Sequence, residues 1–282
     1  MSYGICPLSV VPIRTTPSHK SEMASQLLFG ELVEMLEHKG RLWSKVRCIQ
    51  DNFVGWVDRT QIRDITNSEY EECSSSFAYS LELVQAAMGQ NHFVPITLGA
   101  RLPNYDGLHF KVADTRFTFS GQAIVAEDSR PVASFVLKIA KRYLNTPFLW
   151  GGRSPFGIDS AGLVQMVFSM AGIQLPRDPA AQIDIGEIVD FVEQAQPGDL
   201  AFFENRAGRI SHVGIIMPDQ QIIHSYGGVR LDRVDHYGIF SEEQQRYTHK
   251  LRLAKRVLPP SEDQMRQEEE EQVNITNQVE LF

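Results

Sequence analysis

Cysteine is scarce in this 282-residue chain: Cys6, Cys48 and Cys73 are its only thiols, and none follows them. An odd number without paired short spacings excludes a disulfide framework and a cysteine-ligated zinc site, so buried free thiols are expected. Long hydrophobic runs are lacking as well. Every apolar stretch falls well short of the roughly 20 residues that cross a bilayer. Met1 to Pro17 has no basic cluster at its start, and Pro7 and Pro12 break its short apolar runs, so no secretory leader is expected. With free thiols, this makes a reducing cytoplasm the expected location. There is also no basic stripe of the kind nucleic acid needs. The net charge of -8 is instead concentrated at the end, where Glu262, Asp263, Glu268 to Glu271 and Glu280 stand against Arg266 alone. No nucleic-acid partner, membrane partner, metal or other cofactor is expected.

What is present fits a globular protein of two or three domains, with 43% hydrophobic and 22% charged residues. Residues 1–65 read as short strands. Leu27 to Phe29, Leu32 to Leu36, Trp43 to Ile49 and Phe53 to Val57 are divided by turns at Gly30, Lys39-Gly40 and Asp51-Asn52. Such close spacing predicts a small barrel. A polar run, Thr66 to Ser76, reads as a linker. Residues 77–127 read as a second, more diverged barrel around Val94 to Pro103 and the alternating Phe110, Val112, Phe117 and Phe119.

From residue 130 to 259 the pattern changes. Asp128-Ser129 with Pro131 predicts a helix start, followed by Val132, Phe135, Val136, Ile139 and Tyr143 at helical spacing. A second helix is expected from near Asp159 to Gly172, apolar around most of its circumference and therefore buried. Strands follow: Asp199 to Glu204, a hairpin of Ile210 to Met217 and Gln221 to Tyr226, then Val229 to Val234. Helices before an antiparallel sheet make an α+β domain. Residues 260–282 form an acidic tail.

The chemistry-bearing residues lie in this last domain. Ser160 opens the buried helix behind the glycines of Trp150-Gly151-Gly152, a place where the helix dipole favours a nucleophile. His212 is the candidate base and His224 its orienting partner. A three-residue loop in the hairpin puts both histidines on one sheet face.

The order Trp-Gly-Gly, Gly-Ile-Asp-x-x-Gly-Leu-Val-Gln, Leu-Pro-Arg-Asp, Pro-Gly-Asp-Leu-x-Phe-Phe, Ser-His-Val-Gly and Ile-His starts at Trp150, Gly157, Leu175, Pro197, Ser211 and Ile223. This order resembles the NlpC-type, papain-like cell-wall peptidases. With Gly30-Glu31-Leu32-Val33 and Gly55-Trp56-Val57 resembling bacterial SH3-like domains, the whole chain resembles enzymes that cut murein peptides at the γ-D-glutamyl–diamino-acid bond. The resemblance implies an α+β papain-like domain, helices packed on an antiparallel sheet, behind two small all-β SH3-like barrels. It implies a peptidoglycan-derived peptide ligand with a free N-terminus, and a site of Ser160, His212 and His224 with Asp159, Glu22, Trp150, Ala161, Ser211 and Phe148 around the substrate. The family keeps Asp-Cys-Ser where this chain has Asp159-Ser160-Ala161. Phe53-Val54, Phe148 and Pro179 also stand where more polar residues are usual. Three readings follow: a silent peptide-binding relative; a hydrolase working through Ser160 or disabled by an engineered change; and a scaffold whose barrels dock a protein partner. Asp159 has two roles open to it, helix N-cap or ligand of a substrate amine.

Overall fold

The computed structural model describes residues 2–260. The acidic tail expected over 260–282 lies, beyond Pro260, outside the described residues.

Residues 2–65 form a seven-stranded antiparallel sheet. Its order is Met23–Leu28, Val10–Arg14, Val54–Asp58, Trp43–Cys48, Leu32–Lys39, Ser2–Ile5 and Arg63–Ile65. Alternation drives it: along Trp43–Cys48, Ser44, Val46 and Cys48 turn inward while their neighbours face out. They join Val11, Ile13, Leu27 and Val57 in a compact core. Cys6, Cys48 and Cys73 are buried and free, and burial pushes the Cys73 thiol up to about 11.

The expected linker is a helix. Asn67–Ser75 (α1) is closed by a capping box in which Thr66 Oγ1 accepts from Glu69 N at 3.2 Å and Glu69 Oε2 accepts from Thr66 N at 2.8 Å. Only Cys73 of α1 is buried, so its sequence carries no apolar stripe to reveal it.

Residues 77–127 fold as a four-stranded and a three-stranded antiparallel sheet. Their core, including Phe110, Phe117 and Phe119, is continuous with Phe29 before it and with Met166 and Met170 beyond it. Each such side chain removed from water contributes about 1.5–3 kcal/mol, which here ties the units together.

Helix α2 spans Ala133–Arg142, later than expected, after a separate 3-10 turn at Ala126–Asp128. Pro131 forces Arg130 away from helical backbone, so the turn cannot run on into the helix. Helix α3, Ser160–Met170, is buried along its whole length as expected, and α4, Pro179–Gln182, follows. Pro179 stands at the first turn of α4, where its fixed φ suits the position.

The sheet behind α3 runs Glu187–Val189, Arg246–Arg256, Leu200–Glu204, Ile210–Met217, Gln221–Tyr226, Gly228–Asp235 and Gly238–Ser241. Gly238–Ser241 also pairs with Arg246–Arg256, so six of the strands close on themselves. The expected antiparallel sheet is therefore a closed barrel, because Arg246–Arg256, a strand not expected from the sequence, pairs with Leu200–Glu204 on one side and Gly238–Ser241 on the other.

Candidate active site

The hairpin pairs Ile215 with Ile223 and Met217 with Gln221, which sets His212 diagonally across from His224 on one face. The turn at Gly227 then pairs His224 with Arg230, bringing Asp232 diagonally onto the same face. The three side chains form a chain of hydrogen bonds. His224 Nε2 lies 3.0 Å from Asp232 Oδ2, and His224 Nδ1 lies 2.8 Å from His212 Nε2. A carboxylate can only accept here, so His224 carries its proton on Nε2 and its Nδ1 accepts from His212 Nε2–H. The free lone pair of His212 is thereby assigned to Nδ1.

Burial would raise Asp232, but bonds from His224 and Arg230 outweigh it and keep the carboxyl below its ordinary range. His212 is driven well below 6.5 by burial first, then by His249 and His224. His224 is lowered by burial against the pull of Asp232. His249, whose ring stacks on His212 at 4.0 Å between centroids, is pulled down to about 4, chiefly by burial. At neutral pH the cluster holds uncharged imidazoles, and His212 is poised to accept a proton.

Ser160 begins α3, with Asp159 as N-cap. Asp159 Oδ1 accepts from Gly162 N at 2.7 Å and Arg177 Nη1 at 3.0 Å; Oδ2 accepts from Gly151 N at 2.8 Å and Arg177 Nη2 at 2.5 Å. All four acceptor directions of the carboxylate are taken, and its charge is matched by the guanidinium. Asp159 is therefore the N-cap and a bracket for the Trp-Gly-Gly turn, and it also lines the cleft beside Ser160. Gly151, at φ +75°, packs so tightly on the first barrel that a Cβ would sit 2.3 Å from Met23 O.

One cleft of about 550 Å³ collects Ser160, His212, Asp159, Ala161, Ser211, Phe148, Trp150 and Glu22. His224 stands behind His212, fully buried. Phe53 and Ala24 of the first barrel complete the wall. Glu22 Oε1 accepts from Trp150 Nε1 at 2.6 Å, leaving Oε2 toward solvent. Asp178 and Glu22 have no basic partner among the described residues, so the lining of the cleft is acidic. Among the described residues, no hydrogen bond joins the Ser160 hydroxyl to His212.

The imidazoles of His212, His224 and His249 bring ligand atoms within 4.8 Å of one another. They suit a metal ion poorly. His212 and His224 are already bonded to each other, and the rings of His212 and His249 lie 25° apart in a stack, so their in-plane lone pairs do not converge.

Two members of the site, Asp232 and His249, were missed from sequence. Counting back through the tight Gly227-Gly228 turn would have placed Asp232 on the face of His224. His249 gave no signal, because its strand was not recognised.

Residues 145–252 match the NlpC/P60 family, and residues 13–62 match the bacterial dipeptidyl-peptidase SH3 domain. The chain is 26% identical over 214 residues to a gamma-D-glutamyl-L-lysine dipeptidyl-peptidase of Bacillus subtilis, covering 71% of each. It is 27% identical over 234 residues to the protein of that name from Bacillus cereus, covering 74% of this chain and 68% of that one. A crystal structure of an NlpC/P60 family protein from Bacillus cereus superposes with a TM-score of 0.79 at 20% identity, over 92% of this chain and all of that one, and so shares the fold.

Proposed function

We propose that this chain, which joins a bacterial dipeptidyl-peptidase SH3 domain to an NlpC/P60 domain, binds a peptidoglycan-derived γ-D-glutamyl peptide by its free N-terminal amine and does not hydrolyse it at an enzyme's rate. The observation that carries this reading is the shared cleft: the bonded pair Glu22 and Trp150 lines it together with Ser160 and His212. The two Bacillus relatives are named for action on γ-D-glutamyl-L-lysine peptides, which supports the ligand class. An ammonium group carries three donors and a charge, and the open oxygen of Glu22 meets both. Silence follows from the nucleophile. A serine hydroxyl needs a base hydrogen-bonded to it, and Ser160 has no such bond to His212. Ala161 and Phe148 offer the cleft no hydroxyl. Binding in the cytoplasm is part of the proposal.

The bonded row Asp232–His224–His212 favours a second reading, hydrolysis through Ser160 with His212 Nδ1 as general base. One experiment separates the two. Calorimetry with L-Ala-γ-D-Glu-L-Lys and its N-acetyl form should show about tenfold tighter binding of the free amine. Chromatography of the same mixtures should show intact peptide after hours. Cleavage that vanishes in Ser160→Ala would establish the serine hydrolase. Absence of binding at millimolar peptide would remove the peptide reading and leave the barrels as docking modules.

A further inference from the structure

Beside the cleft lies a second groove, of about 830 Å³, on the other side of His249. The two are continuous: Ser211, Tyr226 and His249 line both. Their charges are opposite. The cleft around Ser160 carries Glu22, Asp178 and the Asp159–Arg177 pair, whereas the second groove carries Arg206, Arg246, Lys250 and Glu204. Lys250 Nζ donates to Glu204 Oε1 at 2.5 Å, which matches that acid with a base. Arg206 and Arg246 are exposed and have no carboxylate partner among the described residues. Arg246 is held in place by Nε and Nη2 donating to Gln244 Oε1 at 3.0 and 2.8 Å, with Nη1 left over. Tyr237 and Tyr247, 63% and 45% exposed, lie in ring contact and give the groove an aromatic wall.

We propose that this groove is the subsite for the terminal carboxylate of the bound peptide, taken by Arg206 and Arg246 on the far side of His249 from the amine site. The inference rests on the peptide reading above and extends it: the cleft and groove together form one bipolar channel. A ligand lies in it with its amine at Glu22, its γ-glutamyl link beside Ser160 and His212, and its diamino-acid half over the tyrosines. Guanidinium groups suit this end because their planar forks match a carboxylate. The channel therefore selects short peptides that end soon after the γ-glutamyl link, with a free carboxyl group.

The test uses the full chain and calorimetry with three peptides: L-Ala-γ-D-Glu-L-Lys, the same peptide amidated at the lysine carboxyl, and the dipeptide L-Ala-γ-D-Glu. Amidation should weaken binding by about tenfold, the effect of one charge-assisted contact. In R206Q/R246Q, whose altered side chains are exposed, the free acid and the amide should bind within about twofold of each other. The dipeptide, which ends before the groove, should bind the parent and the variant equally. Equal binding of acid and amide by the parent would overturn the subsite while leaving the peptide reading intact. Equal losses for dipeptide and tripeptide in the variant would overturn it as well. If none of the three binds, the peptide reading itself fails and the subsite falls with it.

Discussion

Four hydrogen bonds converge on Asp159, while its neighbour across the cleft, Glu22, accepts only one side-chain bond. The two acids therefore answer mutation differently. Glu22→Gln should weaken a free-amine peptide by about tenfold, leave the N-acetyl peptide unchanged, and shift stability by no more than about 0.5 kcal/mol, as exposed substitutions do. Asp159→Asn should instead destabilise the fold by about 3–5 kcal/mol, because it leaves Arg177 buried without its counter-charge. Calorimetry and urea melts of both variants check this; a stable Asp159→Asn protein with a selective loss for the free amine would reverse the assignment. The sequence showed both residues, Asp159 the more plainly, but not the ion pair that holds Asp159. Arg177 comes 18 residues after Asp159, and only the tertiary turn brings the guanidinium to the carboxylate.

At the scale of elements, the strand pair Arg153–Ser154 and Gly157–Ile158 is fastened to the first barrel by one buried ion pair. Arg153 Nη1 and Nη2 each donate to Glu31 at 2.9 Å, and Nη1 also reaches Gln26 O at 2.6 Å, with both side chains at most 3% exposed. Glu31→Gln keeps the shape but strands the guanidinium, and should cost about 3–5 kcal/mol in urea unfolding. Replacing both partners by apolar residues, Arg153→Met with Glu31→Leu, should recover most of that loss. A single variant within about 0.5 kcal/mol of the parent would show that the pair does not fasten the junction. Elements with a strong local pattern were legible beforehand. The His212–His224 hairpin has β-branched runs on either side of Pro218-Asp219-Gln220, and α3 is apolar all round between an N-cap and Gly172. Two elements lacked such patterns. In Arg246–Arg256, Lys250, Arg252, Lys255 and Arg256 interrupt the apolar positions, and a bulge between Ile239 and Phe240 in its partner breaks the register. That concealed the barrel closure and, with it, His249. Helix α1 is held by its capping box and buries only Cys73, so it has no apolar face.

Across the whole molecule, the histidine cluster couples the site to stability through protons. His212, His224 and His249 all have lowered values in the folded chain, His249 to about 4, against an ordinary value near 6.5. Above pH 6.5 both folded and unfolded chains hold these imidazoles neutral, and the cluster carries no penalty. As pH falls below 6.5 the unfolded chain binds protons that the folded chain refuses, so unfolding becomes more favourable. For His249 that loss develops from pH 6.5 down to about 4, where the folded chain begins to bind the proton too. Calorimetric melts between pH 7.5 and 4.5 should therefore show a melting temperature that is flat at first and then falls below pH 6.5. His249→Phe supplies the control, since an aromatic ring can keep the stack on His212 and the edge contact with Tyr226 while removing one titrating group. Its melting temperature should fall less steeply over the same interval, by about one proton per molecule in the linkage slope. Carboxylates are common to both proteins, so their titration cancels in the comparison. Superimposable slopes for parent and variant would mean that His249 takes up its proton in the folded chain near the ordinary value of 6.5. Below that pH His212 would then sit against a cation and would be a weaker base than its bonded row to Asp232 suggests.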